Sequence, residues 1–169
     1  MKQTLTILSL TLSLIPALIL FMTGSALAQS PANPNTQPAG NPTIEGVIIN
    51  VISANKLVVW EADTLYPFTL YGIKLPDPDS APGREAKKKV SELVFNKLLT
   101  VHIMKGKSYP PMGRVIIRGK CLNETLVRKG VARVNTNCKA EPYCNRWREA
   151  QTNAKKSHAG IWKFYKPSP

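Results

Sequence analysis

Leu122-Asn123-Glu124-Thr125-Leu126-Val127-Arg128-Lys129-Gly130-Val131-Ala132 is the stretch on which the fold of this 169-residue chain turns. Residues 122–129 predict a short helix, and Gly130 suits the left-handed C′ position that closes one. Upstream, Thr100 to Met104 and Arg114 to Ile117 have strand-like composition. Further upstream, Ala86, Val90, Leu93, Val94 and Leu98 fall on one helical stripe, with Lys87, Lys88 and Lys89 off it. Three short β-rich runs precede that helix: Val47, Ile49 and Val51 alternating up to Ile52, then Leu57–Trp60, then Phe68–Tyr71. Downstream, Arg146 to Ser157 predicts a last helix, and Gly160-Ile161-Trp162 ends the core. The order suits a small barrel with helices packed outside.

Lys2 precedes an apolar run from about Leu5 to Met22, and Ala26-Leu27-Ala28 ends in the small-x-small pattern of signal peptidase sites. A run of this length could also span a bilayer as an uncleaved anchor. Pro16 within it, the single flanking charge and the Ala-x-Ala site favour cleavage after Ala28. Residues 1–28 are therefore expected to be a signal peptide of an exported protein, periplasmic or extracellular. Gln29 follows the cut, so a lipoprotein is not indicated. Residues 29–42 hold Pro31, Pro34, Pro38 and Pro42 with no charge, which reads as a flexible or extended spacer. The folded domain is expected over residues 43–166.

Charge is unevenly placed in a chain with 23 Lys plus Arg against 10 Asp plus Glu. Residues 45–83 carry Lys56 and Lys74 against Glu45, Glu61, Asp63, Asp77 and Asp79. Residues 84–169 hold 20 basic and 5 acidic residues, so the later half builds a basic face. Such a face points to a polyanionic partner and says nothing of the fold. A 43% hydrophobic composition excludes wholesale disorder, and 3 Cys are too few for a disulfide-dense scaffold.

In order and in residues, the stretch from Gly46 to Trp162 resembles the staphylococcal nuclease-like (thermonuclease) family. Leu70-Tyr71-Gly72-Ile73 followed by Pro76 resembles one family segment, Gly83-Arg84-Glu85-Ala86 its helix entry, and Gly113-Arg114 its glycine-arginine pair. Residues 122–132 match its second helix, and Ala154 with Gly160-Ile161-Trp162 completes the pattern. The resemblance implies an α+β fold, a five-stranded OB-type β-barrel with three helices packed outside. It also implies phosphodiester hydrolysis, with acidic side chains holding calcium, two arginines stabilising transition-state charge and a glutamate activating water.

Most positions that would carry this chemistry are substituted. A calcium-binding aspartate of the family falls on Asn55, the first arginine on Thr69 and the second metal-binding aspartate on Lys74. The glutamate falls on Asp77, a carboxylate shorter by one methylene, and Arg114 alone matches outright. Pocket tyrosines fall on Met112 and near Thr136 and Cys138, a loss of roughly 1–3 kcal/mol per base contact. Asp77 and Asp79 flank Pro78 as turn residues. His102 and His158 lack metal-ligand spacing, while Trp147 and Trp162 read as packing aromatics. Calcium binding is expected to be lost, with no cofactor in its place.

Cys138 and Cys144 enclose a short loop that can close in an oxidising compartment. Cys121 is expected to be buried and free, although a bridge from it to either of the others stays open on sequence alone. The leading functional reading is an exported, inactive or strongly impaired domain that binds nucleic acid or another polyanion. Arg84, Lys87, Lys88, Arg114, Arg128 and Lys129 would form its basic surface. The alternatives are an active nuclease with an atypical site of Asp77 and Arg114, or an envelope protein-protein interaction domain.

Overall fold

The computed structural model describes residues 42–104, 108–138 and 142–166. The expected signal peptide and nearly all of the spacer lie outside the described residues. Strand β1 (Thr43–Val51) pairs antiparallel with β2 (Lys56–Glu61), and β2 with β3 (Thr64–Leu70). The other edge of β1 pairs with β5 (Leu98–Ile103), which pairs with β6 (Met112–Ile117). A short parallel pairing, Thr69 with Met112 and Leu70 with Gly113, joins β3 to β6 and closes the five-stranded barrel. Closure removes the open edges that would otherwise expose unpaired backbone groups. Two-residue strands β4 (Ile73–Lys74) and β8 (Arg133–Val134) pair with each other, and β7 (Lys120–Cys121) folds back to pair antiparallel with the end of β6.

The barrel interior is apolar because alternate strand residues point inward. Leu57, Val59, Phe68, Val101 and Val115 are fully buried. In β1 the alternation differs from that read in the sequence. A register shift between Ile48 and Asn50 puts Ile48 and Val51 in the core and leaves Ile49 44% exposed. A bulge adds one residue on one strand and so exchanges the faces beyond it.

Helix α1 (Ala81–Val94) is capped by Ser80, whose Oγ accepts from the Gly83 N–H at 3.1 Å. Its inner stripe is Gly83, Ala86, Val90 and Val94, with Lys87 and Lys88 exposed. The stripe stops at Val94. Leu98, expected on the helix, instead begins β5 and is 71% exposed. The Lys97 ammonium donates to the Glu92 and Leu93 carbonyls, both at 2.9 Å, and so occupies carbonyls that the helix end leaves free.

Helix α2 (Leu122–Arg128) ends as expected, with Gly130 at φ +65°. A Cβ on Gly130 would lie 2.1 Å from the Ala159 carbonyl oxygen. The Ile161 N–H donates to the Gly130 carbonyl at 2.9 Å. The glycine thus ends one helix and lets the segment Gly160–Trp162 lie against it. Gly72 has an equally local reason: at φ +71° its missing Cβ leaves room for the Trp147 ring and the Cys138 sulfur.

Helix α3 (Pro142–Lys156) starts a turn earlier than the expected Arg146, and it buries Trp147, Ala150 and Ala154. Cys138 and Cys144 form a disulfide with Cα atoms 5.7 Å apart, so the bridge ties the segment ahead of α3 to the helix's first turn. Cys121 is free but half-buried, not fully buried as expected, and burial pushes its thiol pKa up. Removing a bridge that closes so short a loop, by Cys138→Ser with Cys144→Ser, is expected to cost about 2 kcal/mol in urea unfolding. Non-reducing mass spectrometry should find Cys138 linked to Cys144; a bridge to Cys121 would refute the pairing. Among the described residues, no helix is long and apolar enough to cross a membrane.

Candidate functional site

The residues singled out by sequence fall in two places. Asn55, Lys74 and Asp77 line one open cleft of about 1060 Å³, between the β1–β2 turn, β4 and the Gly160–Trp162 segment. Ser53, Pro82, Asn135 and Trp162 also line it. Arg133, which sequence reasoning passed over, completes its basic wall, brought there because β8 sets it opposite Lys74 on β4. A two-residue strand has no periodicity to read, so only its pairing reveals it.

Each member of the cleft has a local cause. The Asn55 carbonyl accepts from the Leu70 N–H at 3.0 Å, which ties the β1–β2 turn to the end of β3. The Asn55 Oδ1 is buried without a hydrogen-bond partner, as is the Trp162 Nε1. Asp77 builds the turn before α1: its Oδ1 accepts from the Asp79 N–H at 2.9 Å, and its carbonyl accepts from the Ser80 hydroxyl at 2.6 Å. Asp79 lies outside the cleft lining. The Asp77 side chain thus forms an Asx turn, to which Asp79 contributes its backbone N–H.

Thr69 and Arg114 are not among these lining residues; they lie where β3 meets β6. The half-buried Thr69 faces the Pro111 carbonyl, with its hydroxyl 3.5 Å away. Arg114 is also half-buried, lies opposite His102, and stacks over the Tyr143 ring at 5.1 Å. Burial first, and the Arg114 charge second, hold the His102 pKa below its usual range. Tyr143 packs in turn against Trp147, with centroids 4.9 Å apart, and edge-on to Tyr71 at 6.4 Å. An aromatic ring therefore does stand beside Arg114, supplied by α3 and not by the positions at Met112, Thr136 or Cys138. Its place in the sequence, after Pro142, gave no hint of this.

The six proposed basic contacts differ in availability. Arg128 is ion-paired with Glu124, a buried carboxylate that also accepts from the Arg146 Nε at 2.8 Å. The Arg84 guanidinium donates to the Asp79 carbonyl at 2.6 Å. Lys87, Lys88 and Lys129 are exposed, and no side-chain partner is found for them among the described residues. Trp147 is fully buried, whereas Trp162 is half-buried beneath the Lys155 ammonium at 4.8 Å. His158 is exposed.

A stretch of 103 residues is 31% identical to an "uncharacterized 38.1 kDa protein" of Capnoides sempervirens. It covers 60% of this chain and 30% of that protein, so the chain spans under a third of this relative's length. Residues 68–164, from the end of β3 through α3 to the segment beyond Trp162, match the staphylococcal nuclease homologue family. With the closed barrel, the three outer helices and a match over more than half its length, the chain belongs to the staphylococcal nuclease homologue family.

Proposed function

We propose that this protein is an exported, non-hydrolysing or strongly impaired member of its family that binds nucleic acid or another polyanion. The observation that carries this reading is the composition of the cleft: one carboxylate, Asp77, against Lys74 and Arg133. Calcium takes six to eight oxygen ligands, several of them usually carboxylates. Asn55 offers a single amide oxygen and Lys74 a repelling ammonium, so this donor set does not fit the ion. Arg114, the one matching catalytic residue, is not among the residues that line the cleft with Asp77. Export rests on the expected signal peptide over residues 1–28 and spacer over 29–42, with the domain at 43–166; the Cys138–Cys144 bridge suits an oxidising compartment. The protein would then act in the periplasm or outside the cell.

Binding would run through the exposed lysines. Counterion release makes the affinity for single strands fall with salt at a slope of about −0.7 per phosphate neutralised. Replacing Lys87, Lys88 and Lys129 together by Ala is expected to flatten that slope by about 2 in filter retention of a single-stranded oligonucleotide. Retention that ignores salt, or a slope unchanged in the triple variant, would refute the binding reading.

A further inference from the structure

The substituted cleft has a chemistry of its own. Lys74 and Arg133 are direct partners in the antiparallel β4–β8 pair. Residues so placed have Cβ atoms about 4.5–5.5 Å apart, and like charges directly opposite each other destabilise a sheet. Both side chains are exposed, both line the cleft, and neither has a hydrogen bond or ion pair among the described residues. The one acidic side chain of the lining, Asp77, has an oxygen engaged by the Asp79 N–H. Two unopposed cations thus face one space.

The wall around them also has unused polar capacity. The Trp162 Nε1 and the Asn55 Oδ1 are both buried without partners, and both belong to lining residues. An indole N–H is purely a donor, and an Asn side chain turned about its last bond presents an NH₂ where its oxygen stood. The Trp162 N–H suits an acceptor-rich group, and Asn55 does so once its amide is turned. A doubly charged oxyanion would relieve the Lys74–Arg133 repulsion, and guanidinium geometry matches phosphate oxygens in pairs. At about 1060 Å³, the cleft has room for the molecule carrying such a group.

We propose that the Lys74–Arg133 cleft is a binding site for a dianionic phosphate group, the charge-inverted counterpart of a cation site. This goes beyond the polyanion reading, since it assigns a discrete site away from the α1 lysines and stands whether or not those lysines hold nucleic acid. The ligand could be free phosphate or the terminal phosphate of a nucleic-acid strand.

The test uses the exported form of the protein with inorganic phosphate, calcium chloride, and one oligonucleotide carrying either a 5′-phosphate or a 5′-hydroxyl. Calorimetry should detect inorganic phosphate binding, weakened at least tenfold in Lys74→Ala and in Arg133→Ala. In phosphate-free buffer both variants should melt no lower than the parent, because each removes a like-charge contact; this separates lost binding from lost folding. A preference for the 5′-phosphorylated strand that disappears in Lys74→Ala assigns the site to strand ends, and equal binding of the two strands assigns it to free phosphate. No phosphate binding, binding unchanged in both variants, or calcium-induced stabilisation lost on Asp77→Asn would each overturn the proposal. Salt-sensitive retention of the 5′-hydroxyl strand reports separately on the lysine surface.

Discussion

Single-stranded DNA incubated with the purified protein and calcium is expected to remain intact, with hydrolysis at least 100-fold below that of a family member with a full site. Losing one preorganised transition-state donor costs on the order of 100- to 1000-fold. Thr69 stands where such an arginine is expected; its hydroxyl faces the Pro111 carbonyl and it has no charge to offer. The metal is a second large electrostatic contribution, and Asn55 with Lys74 does not supply its ligands. Asp77 could still orient a water, but its carboxylate is held in the turn before α1 and is one methylene short. Small misplacements of that kind carry large rate penalties. The losses need not add, because residues that act as a unit are not independent. The decisive assay includes an Arg114→Ala control. Robust cleavage that disappears in that control would refute the non-hydrolysing reading and restore Arg114 as a catalytic residue.

Replacing Asn123 by Leu is expected to destabilise the domain by about 2–5 kcal/mol, since each buried backbone group left unpaired costs about 1–3 kcal/mol. Asn123 is fully buried at the start of α2. Its Oδ1 accepts from the Val115 N–H at 3.0 Å, and its Nδ2 donates to the Tyr71 carbonyl at 2.8 Å. One side chain thereby joins α2 to β6 and to the turn after β3. Leu has the same branched skeleton of side-chain heavy atoms but is bulkier, so the loss would report the two orphaned groups together with some overpacking, and no cavity. Asn123→Asp should fare no better: a carboxylate could keep the Val115 bond but cannot donate to Tyr71 while ionised. Urea midpoints measure both. A loss below about 1 kcal/mol in either variant would show that water or a backbone shift replaces the staple.

Asn123 lies within the stretch that resembles the family's second helix, yet nothing in the sequence marks it as a staple. In a linear reading an Asn near a helix start is an ordinary polar residue; its two partners come from distant strands. Glu124 is similar. Its neighbours suggest an exposed helical acid, and only the approach of α3 makes it the buried partner of both Arg128 and Arg146. That pairing in turn removes Arg128 from the readily available basic contacts.

By itself the sequence determined the barrel class, the order of its main strands and helices and the helix end at Gly130, while the choice of Cys138–Cys144 over a bridge from Cys121 was left to the structure. These were legible because their causes are local: two-residue and helical periodicities, and a backbone that must take positive φ at Gly130. The tertiary structure alone decided which β1 residues face inward, since a bulge resets the alternation at Ile48. It likewise decided that Arg114 stacks on Tyr143 while Lys74 meets Arg133 across a two-residue pair. The physical reason is common to these cases. A side chain's neighbours across a closed barrel are set by strand register and helix docking, which depend on the whole chain, whereas its own backbone conformation depends on the few residues around it.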